Sequence, residues 1–353
     1  MDKTDLLRLY PTELEELAVS FGEPAYRGKQ ISDWLFKGIG PEGMSNLPSA
    51  FRERLSSETV FKLPSAERKL VSAADGTVKY LFRLFDGETV ESVVMRYKHG
   101  LSICISTEVG CPMGCRFCAS TIGGKVRDLS ASEMVGQIIA ASKDIGERIS
   151  NVVMMGIGEP LDNYVESVRF LKLANQKNGL NIGYRHISLS TCGIVPMIYR
   201  LADEELPVTL SVSLHAPDNE RRSEIMPVNR RYPLDELMAA CRDYFERSGR
   251  RISFEYTLID GFNDSSSDAR LLASLFRRFF SEGSKMYPVH VNLIPVNDVK
   301  DKPFRRSDAA DAERFRNELI RLGINATLRR HLGADINDSC GQLRREAQQN
   351  HTE

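Results

Sequence analysis

The spacing of the apolar residues changes twice along the chain. Over residues 1–65 apolar positions recur at helical spacing in TELEELAVSF, AYRGKQISDWLFKG and PSAFRERLSSE, which are separated by the helix breakers GEP and IGPEG. From Lys69 to Ser106 the period becomes two, and the turn sequences ADG, DGE and KHG separate the runs. The pattern therefore predicts three short helices followed by a meander or a pair of β-hairpins.

After Leu101 short apolar strands alternate with amphipathic helices. The strand candidates are SICIST, NVVMMG, HISLST, VTLSVSLH, ISFEYTLI, VHVNLIPV and NATLRR. Six or so successive βα units imply parallel strands joined by right-handed crossovers, so we expect an α/β fold with an open sheet or a complete or partial barrel. Functional residues of such folds lie where strands end and loops begin. The polar tail RREAQQNHTE is expected to fray.

Composition narrows the class of protein. The 353 residues, 42% of them hydrophobic and 27% charged, suit one large globular domain with a smaller one. A formal net charge of -1 gives no global sign of attraction to nucleic acid or membrane. The N-terminus lacks the apolar core of a secretion signal, and no stretch approaches the roughly 18 apolar residues of a membrane span. We therefore expect a cytoplasmic protein without a membrane partner.

Three of the seven cysteines lie within eight positions, in VGCPMGCRFCAS directly after the first strand of the βα region. An odd number of cysteines in a chain without a secretion signal favours metal or catalytic thiols over a disulfide framework. Thiolates of Cys111, Cys115 and Cys118 on one tight loop could hold three irons of a cubane and leave the fourth open to a substrate. The alternatives are zinc, which usually takes a second, distant ligand pair, and buried inert thiols.

The segment CPMGCRFC resembles the CxxxCxxC signature of radical S-adenosylmethionine (SAM) enzymes. The resemblance implies one [4Fe-4S] cluster, with its fourth iron chelated by the amino and carboxylate groups of S-adenosyl-L-methionine, and release of a 5′-deoxyadenosyl radical. It also implies a partial (β/α)6 barrel. We expect a helical RNA-binding accessory domain at 1–65, a β-hairpin linker at 66–97, the barrel at 98–333 and a C-terminal extension at 334–353.

Six further segments are similar to the RlmN family of adenine-C2 RNA methyltransferases: GCRFCASTIGG, MGIGEPLDN, HISLSTCGIVP, SLHAPDNERRSEIMPVN, VNLIPVN and CGQLR. Taken singly, GEP is also an ordinary turn, a serine can cap a helix, and a lone histidine is usually structural. The resemblance implies that seven residues at or near strand ends contact SAM: Gly158, Glu159, Ser190, Ser213, Leu214, His215 and Asn297.

Two cysteines outside the triplet gain roles from the same resemblance. Carbon 2 of adenine has no lone pair with which to attack a sulfonium methyl, so a carbon radical is needed. The family implies that one SAM methylates Cys340, that a second SAM generates the radical that activates this methyl group, and that Cys104 resolves the resulting protein–RNA adduct by forming a disulfide with Cys340. The family position of the proton acceptor falls on Glu91, which could otherwise be a solvated hairpin glutamate. We expect Cys192 and Cys241 to be buried thiols.

The expected partners are 23S rRNA, tRNA and an electron donor such as flavodoxin or ferredoxin, and the chain is expected to be a monomer. Basic pairs such as Arg221–Arg222 and Arg344–Arg345 either flank one opening and bind phosphates or are scattered, solvated surface residues. The N-terminal helices, with Arg27, Lys29 and Lys37, are the favoured additional RNA surface. Two other functions stay open: a Cfr-type enzyme that methylates adenine C8, and a non-catalytic iron–sulfur or zinc protein that binds RNA.

Overall fold

The computed structural model describes residues 3–283, 285–297, 302–330, 332–336 and 341–350. Its first part is a small helical unit, closed by two short parallel strands. The apolar residues predicted to line the helices face inward, and Leu14, Ile31 and Leu55 are buried. The unit comprises β1 (Thr4–Asp5), α1 (Pro11–Ser20), α2 (Tyr26–Leu35), α3 (Ser49–Glu58) and β2 (Thr59–Val60).

The predicted hairpins follow as four antiparallel strands. They are β3 (Ser65–Val71), β4 (Val78–Arg83), β5 (Thr89–Tyr97) and β6 (Gly100–Cys104). Strands β4 and β5 are buried on both faces, because helices cover each side. On one face Tyr80 donates a hydrogen bond of 2.5 Å to Asp144 of the first barrel helix. On the other face lies the C-terminal helix.

The βα region forms a partial barrel, the one of the three arrangements left open by the pattern that the resemblance to radical SAM enzymes implies. In the described part of the chain one sheet runs in the order β16-β15-β12-β11-β10-β9-β6-β5-β4-β3, and its strands from β6 to β16 are parallel. Six βα units carry the chain from β6 to the last strand. The parallel strands after β6 are β9 (Ile149–Met154), β10 (Ile187–Thr191), β11 (Thr209–Ser213), β12 (Ile252–Leu258), β15 (Val289–Pro295) and β16 (Asn325–Leu328).

Amphipathic helices pack their apolar faces on this sheet. They are α4 (Ala131–Ile145), α5 (Tyr164–Ala174), α6 (Val195–Asp203), α7 (Asn219–Ile225), α8 (Leu234–Ser248), α9 (Ser266–Phe280) and α10 (Ala309–Arg321). Ser130 caps α4 by accepting a hydrogen bond from the backbone of Glu133, whose carboxylate accepts from the Ser130 N–H. Among the described residues, no helix combines the length and the apolar character needed to cross a bilayer.

Three features depart from the sequence pattern or add to it. A hairpin of β7 (Glu108–Gly110) and β8 (Lys125–Asp128) interrupts the first βα unit, and another joins β13 (Ser281–Glu282) to β14 (Lys285–Met286). The expectation that the polar tail RREAQQNHTE frays is wrong for residues 344–350, which belong to helix α11 (Gln342–Asn350). The reason is tertiary, because the first turn of α11 is anchored on a buried carboxylate described below.

Candidate active site

A closed loop carries the three clustered cysteines. Strands β7 and β8 pair at its base, and the Cys111 N–H donates a hydrogen bond of 3.1 Å to the Gly124 carbonyl. Within the loop, Thr121 Oγ1 lies 3.1 and 3.0 Å from the carbonyl oxygens of Cys115 and Cys118. These bonds hold the three cysteines on one closed loop.

Three carboxylates next to this loop surround the ammonium of one lysine. The ammonium of Lys125 lies 2.8 Å from Glu108, 2.7 Å from Asp128 and 2.6 Å from Asp162. These three carboxylates are close enough together to surround a metal ion. Because the Lys125 ammonium already occupies the centre of these carboxylates, we interpret the four residues as a network of ion pairs that joins the cysteine loop to the loop after β9.

The cysteine loop and the ends of the parallel strands enclose a cavity of about 270 Å³, here called the cluster cavity. It brings together the cysteine triplet and six of the seven residues expected to contact SAM. Leu214 does not line the cavity, since its side chain is 0% exposed within the main core. The predicted residues that line it are Cys111, Cys115, Cys118, Gly158, Glu159, Ser190, Ser213, His215 and Asn297.

The GEP turn after β9 packs directly against the chain that leads into the cysteine loop. A Cβ atom on Gly158, whose φ is +111°, would lie 2.7 Å from both the Cβ and the N atoms of Glu108. The carboxylate of the buried Glu159 accepts hydrogen bonds from the N–H groups of Cys192 (2.7 Å) and Leu161 (3.0 Å). Burial raises the pKa of Glu159, while these hydrogen bonds act in the opposite direction. The turn is therefore a fixed wall of the cavity.

His215 is a buried, neutral histidine with a defined tautomer. Its Nδ1 accepts a hydrogen bond of 2.9 Å from the Thr257 N–H, which leaves the proton on Nε2. Burial, with a smaller contribution from Arg222, lowers the pKa of His215 to about 3. The ring of Phe117, from the cysteine loop, packs edge-on against the imidazole, with 4.9 Å between the two ring centroids. His215 can thus act as a hydrogen-bond donor toward the cavity.

Glu255 is a cavity residue that our sequence interpretation missed. It lies within β12, and its carboxylate accepts hydrogen bonds from Ser211 (2.9 Å), Ser253 (3.1 Å) and Asn292 (2.7 Å). Burial raises the pKa of Glu255. A charged residue inside the strand candidate ISFEYTLI was the available signal, because a glutamate is almost never fully buried unless it has a partner.

A second group of predicted residues shares one face of the antiparallel strands. Cross-strand pairing puts Lys79 opposite Val93 and Val93 opposite Cys104, so these residues form one row. Glu91 lies two residues before Val93 on the same face, diagonal to Cys104 at about 7–8 Å between Cα atoms. We call Lys79, Glu91, Val93 and Cys104 the hairpin face.

The hairpin face adjoins the cluster cavity. Met155 packs against the buried cluster of Val93, Met95 and Cys104 and also lines the cavity. Cys340 lies outside the described residues, but Gly341, the next residue in the chain, donates a hydrogen bond of 2.8 Å to Glu91. Gln342 lines the cavity. The structure therefore brings Glu91 and Cys104 together beside the cavity. The described C-terminal segment contacts Glu91 through Gly341 and the cavity through Gln342.

Burial decides the position of the two remaining described cysteines and of two arginines from the basic pairs. Cys192 and Cys241 are buried, as expected, although Cys192 also lines the cavity and its thiol hydrogen bonds with Glu159. Arg222 and Arg344 are buried, so neither offers its charge to a phosphate at the surface.

The donor set of the cavity fits a [4Fe-4S] cluster better than zinc. Cys111, Cys115 and Cys118 line the cavity from one loop, so they can ligate three irons of a cubane and leave the fourth iron open, whereas structural zinc usually takes four protein ligands in a closed tetrahedron. Burial raises the pKa of Cys115 to about 12 and that of Cys111 above its usual range. The thiols of Cys111 and Cys115 are therefore protonated when no iron is bound, and the binding of iron would release their protons.

A partial barrel with three cysteines on the loop after its first parallel strand, beside a cavity at the strand ends, defines the radical SAM class of enzymes. Residues 105–272 match the family model of the Radical SAM superfamily, and residues 4–61 match that of the ribosomal RNA large subunit methyltransferase N-terminal domain.

Relatives of known class extend over nearly the whole chain. A probable dual-specificity RNA methyltransferase RlmN of Alkaliphilus oremlandii is 50% identical over 99% of this chain and 100% of its own length. Its counterpart in Clostridium novyi is 48% identical over 97% and 98% of the two chains. The crystal structure of a radical SAM methyltransferase from Sphaerobacter thermophilus superposes with a TM-score of 0.89, at 41% identity, over 96% and 98%. The chain belongs to the RlmN family.

Proposed function

We propose that this protein is a radical SAM enzyme that methylates carbon 2 of adenine in 23S rRNA, at the peptidyl transferase centre, and in tRNA, at the adenine 3′ of the anticodon. The observation that carries the proposal is the adjacency of two sites. The cluster cavity suits a radical source, and the hairpin face beside it offers a thiol, a carboxylate and the segment that follows Cys340.

Cys111, Cys115 and Cys118 would hold one [4Fe-4S] cluster. When bound, the cluster supplies the electron that cleaves SAM, of which two molecules are used in each turnover. Gly158 and Glu159 form the wall beside the cysteine loop, and Ser190, Ser213 and Asn297 offer polar groups at strand ends. His215 donates from Nε2 because its Nδ1 is already occupied by the Thr257 N–H. For Leu214 only backbone atoms can contribute, since its side chain is in the core.

Cys340 would accept a methyl group on its sulfur from one SAM. The 5′-deoxyadenosyl radical from the second SAM would take one hydrogen atom from that methyl group, and the resulting carbon radical would add to carbon 2 of adenine, leaving enzyme and RNA joined through the Cys340 sulfur. Glu91 would take the proton lost from carbon 2, onto a carboxylate oxygen. The adduct would return one electron to the oxidised cluster. The Cys104 thiolate would then attack the Cys340 sulfur, so that an S–S bond forms and the electron pair of the broken sulfur–carbon bond goes to the carbon, which takes up a proton to become the methyl group as the base departs. The electron donor would reduce the disulfide before the next turnover. The diagonal arrangement of Glu91 and Cys104 supports this division of roles.

The same proposal extends to domains and partners. We assign RNA contact to the helical domain at 1–65, and the methyl-accepting cysteine to the extension at 334–353, with the linker at 66–97 and the barrel at 98–333 between them. The stacking of Lys37 over Trp34, at 5.1 Å from the ring centroid, offers a cation and an aromatic surface on the helical domain. We further propose a cytoplasmic monomer that receives electrons from a flavodoxin or ferredoxin.

Product analysis tests this function directly. The protein is purified without oxygen, its iron and sulfide are measured, and it is incubated with SAM, a reductant and a fragment of 23S rRNA. We expect 2-methyladenine in the digested RNA, together with 5′-deoxyadenosine. Formation of 8-methyladenine would favour the Cfr-type activity. If neither methylated adenine nor 5′-deoxyadenosine formed, the result would favour a non-catalytic RNA-binding protein. Cys111→Ala, Cys115→Ala and Cys118→Ala provide controls that lack the cluster.

A further inference from the structure

The hairpin face contains an ion pair that is almost completely removed from solvent. Lys79 Nζ lies 3.2 Å from Glu91 Oε2, and each side chain is 1% exposed. Burial of two charges costs several kcal/mol per ion unless their remaining hydrogen-bonding capacity is satisfied. A buried ion pair of this kind adds little net stability to a fold. We therefore looked for its role in the other contacts of the two side chains.

Among the described residues, two further donors bond to the Glu91 carboxylate, and both belong to the C-terminal segment. Oε2 accepts from the Gly341 N–H at 2.8 Å, and Oε1 accepts from the Arg344 N–H at 2.7 Å. These N–H groups belong to the start of α11, where a helix has no internal acceptors for them. Glu91 thus caps, from strand β5, a helix that begins about 250 residues later, and its negative charge favours this helix end.

Gly341 also touches the cysteine loop. Its φ is +82°, and a Cβ atom there would lie 2.8 Å from both the N and the Oγ atoms of Ser120. Ser120 is two residues after Cys118. The first residue after Cys340 is therefore held between the Glu91 carboxylate and the loop that carries the cluster ligands.

A second anchor lies just before the undescribed stretch 337–340. The Asp335 carboxylate accepts hydrogen bonds from Ser72 Oγ (2.6 Å) and from the Ala73 N–H (2.9 Å). The Gly333 N–H donates to Asp75 at 2.8 Å. The chain around Cys340 is thus tied at both ends to the same antiparallel strands and their turn.

We propose that Lys79 is a positioning residue for methyl transfer, because it holds the Glu91 carboxylate in the orientation that docks the segment following Cys340. This inference rests on the proposed function only in assigning Cys340 as the methyl carrier. Without Lys79, the buried negative charge of Glu91 would lose its paired ammonium. The carboxylate would then turn toward water and release the N–H groups of Gly341 and Arg344. The segment would then leave the cysteine loop.

The test compares Lys79→Met with Lys69→Met in the cluster-loaded, full-length protein. Lys69 is a matched control, since it is on the neighbouring strand and pairs with Asp144 at 2.5 Å near the surface. Amide hydrogen exchange is followed in peptides covering 341–347 and, for reference, 234–248. We expect exchange at 341–347 to accelerate at least tenfold in Lys79→Met and to stay unchanged in Lys69→Met. Unchanged exchange in Lys79→Met would overturn the proposal.

General destabilisation by Lys79→Met is separated by a double variant, Lys79→Met with Glu91→Gln, which removes both buried charges. It should recover thermal stability, while exchange at 341–347 stays fast because an amide offers only one acceptor oxygen. If exchange at 341–347 returned to the wild-type rate together with stability, docking would not depend on the charged pair and the inference would fail.

A further variant leaves the ion pair intact. Gly341→Ala should speed exchange at 341–347 and slow methyl transfer to RNA at least tenfold, with SAM affinity unchanged. Gly323→Ala controls for backbone strain, since Gly323 has a similar φ of +83° but open space around it. Equal rates of exchange in the two variants would contradict docking against Ser120. Mass spectrometry of the peptide containing Cys340, after the cluster-loaded wild type has been incubated with SAM and reductant in the absence of RNA, tests the methyl-carrier role separately. No methyl group on Cys340 under these conditions would refute the proposed function, while the exchange data still decide the docking.

Discussion

The guanidinium of Arg222 donates a hydrogen bond of 2.7 Å to the backbone carbonyl of Cys192, just beyond the end of β10. The same side chain is 0% exposed and donates to the carbonyls of Ser213 (3.1 Å) and Leu214 (3.1 Å), at the end of β11. Asn229 Oδ1 accepts a fourth bond at 2.9 Å. Burial lowers the pKa of Arg222 to about 10. One buried cation therefore ties two strand ends together beside the cluster cavity.

Arg222→Lys should show that the fork geometry matters as well as the charge. An ammonium cannot reach all four acceptors, which would leave buried carbonyls unpaired. We expect the free energy of unfolding to fall by about 3 kcal/mol, measured by urea denaturation of the protein without cluster. Arg230→Lys, at an exposed position, should change it by less than about 0.5 kcal/mol. Equal stability of the two variants would contradict this role.

Gly158→Ala should impair SAM binding. The new methyl group would clash with Glu108, and the residue would keep a φ of +111° that L side chains rarely adopt, which together cost about 3 kcal/mol. We expect at least tenfold weaker binding of SAM to the cluster-loaded protein, measured by equilibrium dialysis. Gly87→Ala is the control, because Gly87 has a φ of +89° with open space around it. Unchanged affinity in Gly158→Ala would argue against a rigid turn.

His215 should make the stability of the protein without cluster depend on pH. The pKa of His215 is about 3 in the folded state and about 6.5 when unfolded, so the unfolded chain binds the extra proton between these values. Its contribution is complete above pH 6.5 and is lost as the pH falls. Between pH 6.5 and 5 the wild type should lose about 2 kcal/mol more than His215→Asn. Urea denaturation at each pH measures this difference.

The control for this pH dependence is His99→Asn, since His99 is exposed on the turn between β5 and β6. That variant should lose stability in parallel with the wild type as the pH falls. If His215→Asn also followed the wild-type curve, the buried neutral state of His215 would be contradicted.

Cys104→Ala should trap the RNA on the protein. Without the resolving thiol the adduct at Cys340 has no exit, so we expect a covalent protein–RNA species on a denaturing gel and no multiple turnover. Cys241→Ala is the control, because Cys241 is buried on α8 within the main core. Continued release of methylated RNA by Cys104→Ala would rule out the resolving role.

Most of the fold follows from local pattern. Apolar spacing in segments such as ASEMVGQIIAASKDI predicts α4, which spans the same residues, because a helix of four turns presents enough of one face to reveal its period. The hairpin of β7 and β8 was not predicted, since strands of three and four residues are too short to establish a period of two. The cysteine triplet was visible because its ligands are adjacent in sequence.

The sequence by itself determined the order of strands and helices, the cysteine triplet and the family, because each depends on neighbouring residues or on motifs read in order. Only the tertiary structure decided that Arg222 faces inward, that Leu214 is in the core, and that Glu91 caps a helix with a polar sequence. These outcomes depend on partners far away in the chain, such as Glu91 and Gly341. Burial and charge compensation are properties of the packed molecule, and no local pattern encodes which distant acceptor a buried donor will meet.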